Sequence, residues 1–187
     1  MGEAVNILDT AVADLLIVRS TPHHDDRGAF VRLFCAEELQ PVLGGRQIAQ
    51  VNHSRTTDAG TVRGLHFQRP PHAEMKMVRC VRGRLWDVAV DLRSGSPTFL
   101  QWHAQELTPD EPEMLVIPEG FAHGFQALEP DSELLYLVTE FYNPSSEGGL
   151  RYDDPRLGIE WPLPPQGVSS RDLAHPLLGA DFNGVVL

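Results

Sequence analysis

His66 stands in an otherwise apolar run, Arg63-Gly64-Leu65-His66-Phe67-Gln68. An imidazole titrates near pH 6.5 and is the natural side chain for taking up and returning a proton at cellular pH. A quiet hydrogen bond in the core explains a lone histidine as well, and seven others dilute the signal. Of these, His23, His24 and His72 read as loop residues. Lys76 is the next residue of interest. The 15 basic residues comprise 14 arginines and this one lysine, a compact charge whose pKa moves on burial. In Glu74-Met75-Lys76-Met77-Val78-Arg79-Cys80-Val81, alternation sets Lys76 with Val78 and Cys80 on one face. That face is either a cleft wall or an edge where lysine deters aggregation. Tyr136, in Glu133-Leu134-Leu135-Tyr136-Leu137-Val138, needs a partner for its hydroxyl and is either a core tyrosine or a proton donor facing a cavity. Asp172 closes Ser169-Ser170-Arg171-Asp172, which fits a capping box on a helix cut short by Pro176. A metal centre wants several imidazoles and carboxylates converging on one ion. Two residues after His66 stands Gln68, and His123 alone does not complete a set, so no metal and no cofactor is expected.

These side chains must be held by strands. Helical periodicity is nearly absent: Ala36 to Leu43 suits a short helix, which Pro41 interrupts. Period-two patterning broken by Gly, Pro and Asp predicts strands over Arg27–Phe34, Gln47–Arg55, Val62–Gln68, Glu74–Arg82, Arg84–Leu92, Thr98–Leu107, Glu113–Ile117, Gly124–Leu128 and Glu133–Phe141. Gly83 is read as the turn of a hairpin. Many short strands with frequent turn signals indicate a sandwich or barrel. Beyond Asn143, six prolines leave a tail with little regular structure that wraps the β-core.

The 187 residues favour one domain, 1–187, with a core at about 19–142 and a tail at 143–187. The charge balance of 15 basic against 26 acidic residues, −11, argues against a nucleic-acid partner. No apolar run reaches the length of a membrane span, so no membrane partner is expected. Cys35 and Cys80, without metal-ligand spacing, fit a reducing, cytoplasmic location. Neither GxGxxG nor GxxxxGK[ST] occurs, which removes the common phosphate-cradling loops.

Several segments recur together in one family. Arg63 to Gln68, Asp87-Val88-Ala89-Val90-Asp91-Leu92-Arg93, Gly95-Ser96-Pro97-Thr98-Phe99 and Ile117-Pro118-Glu119-Gly120-Phe121-Ala122-His123-Gly124-Phe125 are followed by Asp154-Pro155 and Trp161-Pro162-Leu163. The chain resembles the dTDP-4-dehydrorhamnose 3,5-epimerase family from about Arg19 to Leu178. The resemblance implies an all-β, cupin-type jelly roll (a double-stranded β-helix) with a short irregular or helical C-terminal tail. It also implies a metal-free epimerase acting on a nucleotide-linked 4-keto-6-deoxyhexose. On the family's pattern His66 is the base, Asp172 its orienting carboxylate, Tyr136 the opposing acid and Lys76 the cation at the enolate oxygen. Arg27, Arg63 and Arg171 match arginines that contact the diphosphate, and Phe30 an aromatic stacked near the base. Gln50, Asn52 and Tyr142 match polar residues around the nucleoside and pocket wall, and His123 lines the sugar pocket. The resemblance further implies a homodimer whose N-terminal strand crosses over, taking Arg27 and Phe30 to the neighbouring site.

Two features depart from a simple reading. Strict alternation puts Arg63 and His66 on opposite strand faces, so Gly64 must mark a bulge or bend. Arg32 also occupies a place where the family's Arg-Gly-x-Phe-x-Glu pattern has glutamate, which leaves the nucleotide open between dTDP and CDP. The rival functions are a one-centre (C3 or C5) epimerase, a non-catalytic nucleotide-sugar-binding cupin, and a metal-dependent oxygenase or isomerase.

Overall fold

The computed structural model describes residues 5–187. One sheet holds, in spatial order, β1 (Val5–Asp9), β2 (Leu16–Ser20), β10 (Glu113–Ile117), β7 (Lys76–Arg82), β12 (Ser132–Val138) and β5 (Gln50–Thr56). The other holds β13 (Glu147–Gly149), β6 (Val62–Gln68), β11 (Phe121–Ala127), β8 (Leu85–Asp91) and β9 (Trp102–Leu107). Every pairing within them is antiparallel. The sheets pack face to face. Val78, Leu115, Ile117 and Leu134 from the first meet Ala89, Leu107, Phe121 and Phe125 from the second. From β5 to β8 and again from β9 to β13 successive strands alternate between sheets, which is the jelly-roll form of an all-β fold.

The outer faces are covered too, so central strands are buried on both sides and lose the clean alternation of a half-exposed strand. Leu39, Val42 and Leu43, around the short helix α1 (Gln40–Leu43), cover the back of the first sheet. The tail covers the back of the second with Leu150, Leu157, Trp161, Leu178 and Phe182. It is also sewn down by polar contacts. The Gln126 side chain accepts from the Leu163 N–H at 2.9 Å and donates to its carbonyl at 2.9 Å, and Gln166 bridges Thr61.

Several expectations change. Gly83 does not close a hairpin: β7 is already flanked by β10 and β12, so the chain arches there into the opposite sheet. The glycine sits at φ +72 against Ser132, where a Cβ would collide. The strand expected over Arg27–Phe34 is a small hairpin, β3 (His23–Asp25) with β4 (Gly28–Phe30), so His23 and His24 lie on a strand. Asp25 Oδ1 accepts from the Arg27 N–H at 2.8 Å and fixes this turn. Pro41, expected to interrupt a helix, stands in the first turn of α1, where a missing N–H costs nothing.

Candidate active site

Toward one end of the space between the sheets, the inward side chains turn from apolar to polar. From the first sheet come Lys76 on β7, Tyr136 on β12, and Gln50, Asn52 and Ser54 on β5. Cross-strand register sets Asn52 beside Tyr136 and Tyr136 beside Val78. From the second come His66 on β6 and His123 on β11, paired directly across the ladder. A cavity of about 370 Å³ is lined by Arg63, His66, Lys76, His123, Tyr136, Arg171 and Asp172, with Ser54, Thr61 and Ser169. An adjoining space of about 390 Å³ shares His66, Lys76 and Tyr136 and adds Gln50, Asn52, Gln68, Glu74, Tyr142 and Glu147. The two are lobes of one cleft.

His66 and Asp172 are directly paired in it, Nε2 to Oδ1 at 2.6 Å. Burial lowers the imidazole's pKa, and the Asp172 hydrogen bond and charge only partly offset this, so neutral His66 is favoured. With the carboxylate holding the Nε2 proton, Nδ1 carries the lone pair able to accept another. Burial would raise Asp172, but its hydrogen bonds from His66, the Gly64 N–H and Ser169 together hold it below the ordinary carboxylate range. Asp172 lies on α2 (Ser170–Leu173). Ser169 Oγ caps that helix by accepting from the Asp172 N–H at 3.0 Å. Half of the anticipated capping box is therefore present. The Asp172 carboxylate itself reaches the Gly64 N–H and His66.

The bend demanded at Gly64 is there. Between His123 and Phe125 the β6–β11 register slips by one residue, so Arg63 and His66 both reach the cleft. Gly64 has φ +112, and a Cβ on it would stand 2.7 Å from Gly124 Cα. Arg63 is held by Thr56 Oγ1, to which its Nε donates at 3.1 Å. His123 donates from Nε2 to Asp87 at 2.9 Å. Burial pushes the Asp87 carboxyl up, against the pull of His123.

Lys76 faces inward with Val78 and Cys80, as alternation predicts. Burial pushes its ammonium down to about 8, opposed by the charge of Glu147. The Glu74 carboxylate, in contact with Nζ, works against the shift as well. Glu147 accepts from the Tyr142 hydroxyl at 2.9 Å and pairs with Arg171, tying the rim together. Gln50 accepts from the Tyr142 N–H at 2.8 Å.

Not every anticipated residue arrives. Arg27 and Phe30 lie on the β3–β4 hairpin, away from both lobes, with Phe30 66% exposed and Arg27 paired to Asp25. Arg32, in place of the family's glutamate, pairs with Glu38. Residues not singled out from sequence include Ser54, whose Oγ is buried without a partner, and Glu74, Glu147 and Asp87. Only alternation along β5 and β8 could have pointed inward at Ser54 and Asp87. Among the described residues His66, Asp172 and His175 also form the one three-residue group with metal-ligand proximity.

A jelly roll with an inward acid–base pair and a cationic rim between its sheets belongs to the cupin-type β-proteins, and the solved structures it resembles share that fold. More narrowly, the chain belongs to the dTDP-4-dehydrorhamnose 3,5-epimerase family, whose profile matches residues 9–180. It is 42% identical to the dTDP-4-dehydrorhamnose 3,5-epimerase of Salmonella typhimurium, covering 92% of this chain and 94% of that protein. It superposes with a TM-score of 0.87 on the dTDP-6-deoxy-D-glucose-3,5-epimerase of Legionella pneumophila, solved with dTDP-4-keto-L-rhamnose (38% identity, 92% of each chain). A 3'-monoepimerase from Streptomyces bikiniensis, solved with dTDP-quinovose, is similar at 31% identity and TM-score 0.84, covering 91% of this chain and 86% of that one.

Proposed function

We propose that the protein inverts C3 and C5 of a nucleotide-linked 4-keto-6-deoxyhexose, converting dTDP-4-dehydro-6-deoxyglucose to dTDP-4-dehydrorhamnose. The observation that carries this reading is the placement of the His66–Asp172 pair on one wall of a cleft whose opposite wall holds Tyr136 and Lys76. Both reacting carbons flank the C4 ketone, so one oxygen site serves both. His66 removes the proton beside the carbonyl, the electron pair moves onto the C4 oxygen, and Lys76 stabilises that charge. Tyr136 then delivers a proton to the opposite face of the carbon. Asp172 holds the imidazole in the accepting tautomer. Before the next inversion the imidazolium and the phenolate must exchange protons with solvent, so solvent hydrogen enters the sugar.

Arg63 and Arg171 are positioned for a diphosphate, where a guanidinium fork pairs bidentately, and His123, Gln50, Asn52 and Tyr142 for the sugar and nucleoside. Arg27 and Phe30 serve a second copy of the chain. Support for this homodimer is the hairpin that presents both residues to solvent, away from their own cleft.

The test is deuterium wash-in, followed by NMR, with dTDP- and CDP-linked 4-keto-6-deoxyglucose. Label at both C3 and C5 of the dTDP sugar is the expected result. His66→Asn should lower turnover by at least about 100-fold. Label at one carbon alone favours the one-centre reading, which the likeness to the monoepimerase keeps in play. Tight binding with no exchange favours a non-catalytic cupin.

A further inference from the structure

We infer that His66, Asp172 and His175 form a binding site for a zinc-like divalent ion that reversibly shuts off the proton-transfer pair. His175 has no part in the reaction described above, yet its ring lies 6.1 Å from that of His66 at 68°, edge toward face. It reaches this place by following Asp172 out of the single turn of α2. Gly149, the cross-strand partner of His66 on β13, leaves the space its ring fills, and a Cβ at position 149 would run into Nε2. One donor atom from each of the three residues lies within 4.8 Å of the others. His175 Nε2 is buried and has no hydrogen-bond partner, an expensive position for a polar nitrogen that an ion would relieve.

The donor set selects the ligand class. Two imidazoles and one carboxylate suit a borderline-soft ion such as Zn²⁺, with a fourth position left open. Metal–ligand bonds of about 2.0–2.2 Å put tetrahedral donors roughly 3.4 Å apart. The 2.6 Å His66–Asp172 contact must open, and a pair at the 4.8 Å limit must close by about 1.4 Å. The nearby charge of Arg171, which disfavours a cation, is already tied to Glu147.

Inhibition follows from proton bookkeeping and rests on His66 being the base. An ion on Nε2 takes the lone pair there, so the single proton of the neutral ring moves to Nδ1. No proton is lost, but the accepting nitrogen is now blocked. The ion and catalysis exclude one another.

The experiment is equilibrium dialysis of chelator-treated full-length protein against zinc chloride, without nucleotide sugar, beside zinc titration of the deuterium-exchange assay. The wild type should bind one zinc per chain and lose exchange in parallel. His175→Ala, and Gly149→Ala, which keeps every donor but displaces the ring, should weaken zinc binding and inhibition by at least about tenfold, the scale on which even outer-shell partners count. Zinc-free exchange should survive in His175→Ala. No zinc on active wild-type protein, or equal affinity in all three proteins, overturns the site without touching the proposed reaction. Zinc binding by a protein that never exchanges substrate protons overturns the inhibitory role and the proposed reaction, while the binding site stands.

Discussion

His66 and Lys76 have their pKa values displaced in the same direction by the same cause, loss of water, but the consequences for catalysis are opposite. A base works when unprotonated, so lowering His66 extends activity toward acid, and the acid limb of kcat/KM should fall below the ordinary histidine value of about 6.5. An oxyanion partner works when protonated, so activity should be lost as pH rises through the Lys76 value of about 8, or somewhat higher because Glu74 touches the ammonium. Glu74→Gln should move that alkaline limb toward acid. A rate flat to strongly alkaline pH would remove Lys76 from the mechanism. The pH dependence of kcat/KM in wild type and variant is the measurement. At this scale the sequence was informative where a residue was chemically conspicuous. The solitary lysine and the histidine amid apolar neighbours could be singled out. Glu74, Glu147 and Asp87 could not, because their importance comes from neighbours distant along the chain.

The element that sets the cleft's geometry is the irregular pairing of β6 with β11. Gly64 and Gly124 let the two backbones approach where any side chain would collide, and the slip carries Arg63 round to the side of His66. Gly64→Ala should therefore cost about 1–3 kcal/mol in thermal or denaturant unfolding, the usual range for a forced backbone conformation, and depress exchange more than its stability loss explains. The cap of α2 is the second such device. Ser169→Ala should cost about 1 kcal/mol and lower kcat more than it raises KM, since Asp172 orients the imidazole rather than gripping substrate. Strands Val62–Gln68 and Glu113–Ile117 were legible to the residue because turn residues bound compact apolar runs. β1, β2 and β13 were not, since a short strand is defined by the partner it pairs with. The arch at Gly83 looked like a hairpin because a glycine between two apolar runs serves either purpose, and only the flanking strands of β7 decide.

Over the whole molecule the charge of −11 would repel a diphosphate, but screening beyond about 8 Å leaves the approach to the cations at the cleft. Arg27 and Phe30 stand apart from that cleft, so a crossed dimer makes a sharp prediction. Arg27→Ala and His66→Asn chains, each inactive alone, should regain activity when unfolded and refolded together. Random pairing places one intact site in each mixed dimer, about a quarter of all sites. Titration of active sites in the mixture measures this, and no recovery would mean that Arg27 does not act across the dimer. The jelly roll itself was foreseeable from strand density and family resemblance, whereas the place of the exposed β3–β4 hairpin in the proposed dimer depends on a second chain. The carboxylate paired with the proposed base belongs to the tail, beyond the last strand, β13, in a stretch sewn down through Gln126. On the ribosome, then, the shell emerges before the chemistry does. A single protease nick in the proline-rich stretch before Ser169 would leave the Asp172 carboxylate joined to the strands by packing and hydrogen bonds alone.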